Sequence, residues 1–131
     1  MFEVSDEEFE EAISKGIESI PERFRRDIEN VVFVAQDEPN ASQLALIDRG
    51  DSLHRELLGL YSGVARTRRG AYYGAGSAVP DVITVFQGPH QRVANSREQL
   101  FENVRRTVVH EVGHYFGMDE EQLREMGYGS T

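Results

Sequence analysis

Not one of the 131 residues is a cysteine, so neither a disulfide nor a thiolate metal ligand enters the account. Basic residues are few beside the acidic ones: 14 Lys and Arg face 23 Asp and Glu, for a formal net charge of -9. Phosphate contact is driven by Lys and Arg, so this balance argues against a nucleic-acid binder and fits a protein kept in solution by its charge. No apolar run approaches the ~20 residues that a membrane helix needs. The segment Met1-Phe2-Glu3-Val4-Ser5-Asp6-Glu7-Glu8 is acidic, without the basic and apolar regions of a signal peptide. A missing leader and missing disulfides together point to the cytoplasm. Repeats, linkers and low-complexity stretches are absent too. What is present, 39% hydrophobic and 28% charged residues, is ordinary globular composition. At this length the chain builds one modest core, so residues 1–131 are expected to form a single domain.

Two serine capping signals mark helix starts. Ser5-Asp6-Glu7-Glu8 opens a helix expected over 6–19, with Phe9, Ile13, Ile17 and Ile20 as its apolar face. Pro21 suits the first turn of a second helix, to about residue 28. Val31-Val32-Phe33-Val34-Ala35 is apolar throughout and reads as a strand buried on both faces. Asp37-Glu38-Pro39-Asn40 breaks it, and a loop is expected up to Ser52. Residues 53–64, interrupted by Gly59 and Gly63, read as a helical turn entering a strand. Further strands are expected at Tyr72-Tyr73-Gly74 and over 81–87, with Gly88-Pro89 ending the latter. Ser96-Arg97-Glu98-Gln99 then caps a long helix whose apolar residues include Leu100, Val104, Val108 and Val112. Helices, a small mixed sheet and a final long helix make an α+β order.

That last helix carries the chemistry. His110-Glu111-Val112-Gly113-His114 is an H-E-x-x-H motif, and residues four apart lie on one helical face. Two imidazoles so placed can reach one ion at about 2.0–2.1 Å. Glu111 sits where its carboxylate can act as general base on a water at the same metal, as in a helical zinc site of a metalloprotease. From Val108 to Phe116 the helix is apolar almost all round and so is expected to be buried. Two histidines and a glutamate in that setting need partners, and a metal satisfies all three.

Gly117 is placed to end the helix in a left-handed turn, after which a residue three positions on can swing back to the ion. That residue is Glu120, with Asp119 beside it as an alternative third ligand. A plainer reading competes: Asp119 and Gln122 look like a capping box opening another helix, and acidic residues suit a first turn whether or not a metal is near.

The run HEVGHYFGMDEEQLREMG resembles the signature of a family of short bacterial zincin-like proteins. Their motif is similar to the metzincin pattern H-E-x-x-H-x-x-G-x-x-H, with Asp or Ser usual at the last ligand position. The likeness is sharpest over 106–127 and extends to GLYSGVARTRRG at 59–70 and VITVFQGP at 82–89. It implies a minimal zincin-like fold, with one zinc ion held by His110 and His114 and Glu111 as base. This chain departs from the pattern with Glu at 120, and only 17 residues follow His114, too few for a metzincin Met-turn.

The reading is therefore a zinc-dependent metallopeptidase of narrow or weak activity, with metal ligands His110, His114 and Glu120. Its expected partner is a peptide or protein substrate, lying along strand 82–87 if that strand is a sheet edge, since zincins add an extended peptide to an edge beside the metal; an interior strand with no free edge is the equal alternative. Sites of this kind also accept Mn, Fe, Co or Ni. The rival readings are a non-catalytic zincin-like binding module with structural metal, and a cytoplasmic peptidase that cleaves a regulator. Secondary candidates are His90 in the cleft, Tyr72, Tyr73 or Tyr115 as donors to an oxyanion, and arginine clusters at Arg66-Arg68-Arg69 and Arg23-Arg25-Arg26. His54 is the remaining histidine.

Overall fold

The computed structural model describes residues 1–45, 56–63 and 80–125, apart from the side chains of Glu120, Arg124 and Glu125. The chain runs α1 (Asp6–Glu18), α2 (Glu22–Arg25), β1 (Val31–Gln36), α3 (Ala41–Leu44), β2 (Gly59–Ser62), β3 (Asp81–Phe86), α4 (Gln87–Val93), α5 (Arg97–Tyr115) and α6 (Glu120–Glu125). The expected strand at Tyr72-Tyr73-Gly74 lies outside the described residues, as do His54, Tyr72, Tyr73 and the Arg66-Arg68-Arg69 cluster.

Both serine caps are in place. Ser5 Oγ accepts the Glu8 N–H at 3.1 Å, and Ser96 Oγ accepts that of Gln99 at 3.0 Å. α1 lies across α5, and Gly16 makes the close crossing possible: a Cβ there would sit 3.2 Å from Val108 Cγ2 and 3.3 Å from the Arg105 backbone. Phe9, Ala12 and Ile13 of α1 meet Leu100, Val104 and Val108 of α5 and Ile83 and Val85 of β3 in one apolar core.

The sheet order is β1-β3-β2, with β1 parallel to β3 and β2 antiparallel to it. β3 is thus the central strand, and Ile83 and Val85 are wholly buried. Of the two readings of this strand, edge or interior, the structure shows the interior one. A strand paired on both sides has no edge to offer, so a peptide cannot add along 82–87. Among the described residues, the sheet's edges belong to β1 and β2. β1 also differs from expectation: Val32 and Val34 stay 43% and 37% exposed while Val31 and Phe33 pack inward. Its continuous apolar run belongs to an edge strand with one face on the core.

Two short helices replace expected loops. Asn40 caps α3 in a full capping box with Gln43. α4 starts at Gln87 directly from β3, with Pro89 in its first turn, where a missing N–H costs nothing. Gly-Pro opens a helix here and does not merely end a strand.

Candidate metal centre

α5 buries its last turns almost completely. Every residue from Thr107 to Gly113 is buried, and His114, half-buried, is the first to face outward. His110 and His114 bring their Nε2 atoms to 3.2 Å, with the ring planes at 81°. A tetrahedral ion with bonds of about 2.0–2.1 Å holds its ligand atoms about 3.3 Å apart, so the pair fits a divalent metal. A carboxylate oxygen of Glu111 completes a group whose ligand atoms all lie within 4.8 Å of one another.

The protonation of His114 follows from its other nitrogen. Nδ1 lies 2.9 Å from the Met118 carbonyl oxygen. A carbonyl only accepts, so Nδ1 carries the proton and Nε2 presents a lone pair. The helix end puts that carbonyl there. Gly117 adopts φ 83°, its N–H donates to His114 O at 2.9 Å, and the Met118 N–H donates to Gly113 O at 2.9 Å. These are the two bonds of a Schellman turn, with glycine in the left-handed position that side chains resist. The left-handed turn expected at Gly117 is in place.

Glu111 points to the neighbouring strand. Its Oε1 accepts the main-chain N–H of Tyr61 at 2.9 Å. β2 comes this close because Gly59 lacks a side chain: a Cβ there would overlap Thr107 Cγ2 and lie 3.4 Å from Glu111 Cγ. Tyr61 is fixed in turn, its hydroxyl donating to Asp81 Oδ2 at 2.8 Å and its ring meeting Tyr115 edge-on at 6.2 Å. Neither Tyr61 nor the Met118 carbonyl was singled out from sequence. Gly59 was the available signal, since a glycine inside a strand often marks close backbone approach.

Past the turn, Asp119 caps α6. Its Oδ1 accepts the Gln122 N–H at 2.8 Å, and Gln122 Oε1 accepts the Asp119 N–H at 2.9 Å. The Asp119 carboxylate is engaged there and exposed, and is not among the groups gathered at the histidines. Glu120 begins α6, and its side chain lies outside the described residues. α6 reaches α5 over Gly113, where any Cβ would collide with Leu123. The variable position before the second histidine therefore sets how near α6 comes.

A family described as zincin-like metallopeptidase matches residues 28–129, from the lead into β1 through α6. The chain belongs to that family. Among solved structures, the zincin-like chain is similar to a conserved hypothetical protein from Thermo thermophilus. The two share 21% identity and a TM-score of 0.54, over 86% of this chain and 94% of the other, a likeness of fold. No curated protein matches. Zincin-like membership implies a metal, typically zinc, and the His110, Glu111 and His114 donor set suits one.

Among the described residues, the secondary candidates His90, Tyr115 and the second arginine cluster have other partners. His90 is fully buried on α4, its ring 5.9 Å from that of Phe9. From sequence it reads as a loop histidine, at the surface or lining the cleft, but the unforeseen helix turns it into the core. Its Nε2 lies 3.2 Å from Thr107 Oγ1, whose hydroxyl donates to the Asn103 carbonyl at 2.8 Å. Thr107 is thereby the acceptor and His90 Nε2 the donor, which leaves Nδ1 unprotonated and without a partner among the described residues. Burial lowers the His90 pKa to about 4, with the Leu58 backbone opposing in part. Tyr115 is a core anchor: its hydroxyl donates to Glu29 O at 3.2 Å and accepts the Glu29 N–H at 3.1 Å. In the second arginine cluster, Arg25 donates to Glu18 O at 3.0 Å and Arg23 covers the Phe24 ring.

Proposed function

We propose that this chain is a metal-dependent peptidase, with zinc held by His110, His114 and the carboxylate of Glu120. The observation that carries the reading is the 3.2 Å approach of two Nε2 atoms beside a buried carboxylate. A structural zinc takes four protein ligands and has no use for a base beside an open position. When bound, the ion supplies Lewis acidity towards a carbonyl and an attacking water. Glu111 takes the proton from that water on a carboxylate oxygen and hands it to the departing amine. Met118 O keeps His114 in the ligating tautomer. The low exposure of Glu111, 8%, limits competing bulk water.

The substrate is a peptide or a segment of one partner protein, and its main chain lies along β2. That strand is antiparallel to β3, is bonded to α5 through Glu111, and is an edge of the sheet among the described residues. The proposed setting is the cytoplasm. Among the described residues, no helix is long and apolar enough to cross a membrane.

The test is zinc titration calorimetry on chelator-stripped protein beside His114→Ala and Glu120→Ala. One tight site is expected, abolished in the first variant and weakened in the second. Peptide-library cleavage should then fall roughly hundredfold or more in Glu111→Gln. A folded wild type that binds zinc no tighter than about micromolar would end the peptidase reading and leave a binding module.

A further inference from the structure

The direction in which Tyr61 points its N–H has a mechanical meaning. Phe86 N–H donates to the Leu58 carbonyl at 3.0 Å, and the register sets Leu60 opposite Thr84 and Ser62 opposite Val82. In an antiparallel ladder the bonded pairs alternate, so residues 58, 60 and 62 turn their main-chain groups towards β3. Gly59 and Tyr61 turn theirs away, off the outer side of β2. There Glu111 Oε1 takes the Tyr61 N–H at 2.9 Å. The candidate base and an incoming peptide therefore compete for one donor. Adding a strand to β2 requires a peptide carbonyl at Tyr61 N–H, where the Glu111 carboxylate now sits.

We propose that the Tyr61 main-chain N–H is the positioning partner of Glu111, and that their bond is a latch on the β2 edge that an extended peptide opens. The proposal rests on the peptidase reading above. Tyr61 makes a firm half of the latch, because its side chain is tied to Asp81 and Tyr115. Glu111 is the half that moves, since a glutamate side chain turns about several single bonds and its carboxylate already lies in the histidine group. Docking of substrate main chain and release of the base thus become one event. A small compound that binds the metal without a strand-forming backbone leaves the latch closed.

The experiment reads the latch directly. Amide hydrogen exchange is followed by NMR on the full chain, as wild type, Glu111→Ala and Glu111→Gln. Binding of a fluorescein-labelled, lysine-flanked peptide of four Thr-Val repeats is measured by anisotropy on the same proteins. Its N-methylated counterpart, unable to add as a strand, serves as control. Tyr61 is expected to exchange at least about tenfold faster in Glu111→Ala, as loss of a hydrogen bond to a charged acceptor implies. The amides of Leu60 and Ser62, turned to β3, should hold their wild-type rates. Glu111→Gln keeps an uncharged acceptor and should fall between, which keeps the test open if the alanine variant does not fold. The peptide should bind Glu111→Ala about tenfold more tightly than wild type, and the N-methylated form should bind neither. An unchanged Tyr61 rate, or equal peptide affinity across the three proteins, overturns the latch. A Tyr61 amide that responds while the peptide binds no variant overturns the peptide reading, and the proposal with it.

Discussion

His114 divides its two nitrogens between different partners, and a glycine three residues later keeps them apart. Gly117 at φ 83° lets the Met118 carbonyl fall on Nδ1. Gly117→Ala should cost about 1–2 kcal/mol in urea unfolding, the strain of a left-handed side chain. It should also weaken zinc about tenfold, as loss of a group that orients a ligand does. Calorimetry checks the second effect; unchanged affinity would mean the carbonyl is dispensable. His90 acts on stability instead. Its folded pKa of about 4 lies below the ~6.5 of an unfolded chain, so between those values the unfolded state binds a proton that the folded state refuses. Stability should rise with pH across that window and be complete above it. Between pH 6.5 and 5, wild type should lose up to about 2 kcal/mol more than His90→Gln, measured as paired urea titrations. A parallel loss in both proteins would remove His90 from the account. At this scale the motif spoke plainly, because spacing on a helix translates directly into a shared face. The supports of His114 and Glu111 are main-chain groups, the Met118 carbonyl and the Tyr61 N–H, and residue identity marks them only indirectly, through Gly117 and Gly59.

Elements meet at this site through glycines. Gly59 admits β2 to α5, and Gly113 admits α6. Gly59→Ala should push β2 outward from Thr107, break the Glu111–Tyr61 bond and lower the thermal midpoint. The cost is expected at about 1–3 kcal/mol, the range for overpacking a tight contact. Crystallography or the Tyr61 amide shift would show the displacement, and an unmoved amide would rule it out. Element existence was legible wherever a cap or a long period announced it: α1, α5 and the start of α6 lie where Ser5, Ser96 and Asp119 place them. Sheet order was not legible. The composition of 81–87 marks a strand but not its neighbours, and its place beside β1 is decided by pairs as distant in the chain as Val31 and Asp81. The helix α4 was hidden because Pro89 reads equally as a terminator or a first-turn residue, and only the Phe86–Gln87 backbone decides.

As a whole molecule, the chain combines a small core with a formal charge of -9 and a site at the end of its longest helix. Metal binding to the folded state alone should add about 2.7 kcal/mol at a free concentration a hundredfold above Kd. A chelator should accordingly lower the thermal midpoint by several degrees, and His110→Ala should abolish the difference. The sheet has a further consequence, in the order in which a ribosome releases it. β1 and β2 do not pair with each other; each pairs with β3, which comes after both. Until residue 86 has emerged, β1 and β2 both lack the strand they pair with among the described residues, and the helix that covers them has yet to be translated. Val31 and Phe33, core-facing in the finished protein, pass this interval unsheltered, beside Val32 and Val34, which stay exposed even afterwards. Synthesis therefore exposes an unpaired apolar strand for roughly fifty residues of elongation, a span of seconds at about 5–20 residues per second. Nascent chains stalled before β3 should be the form that chaperones hold longest.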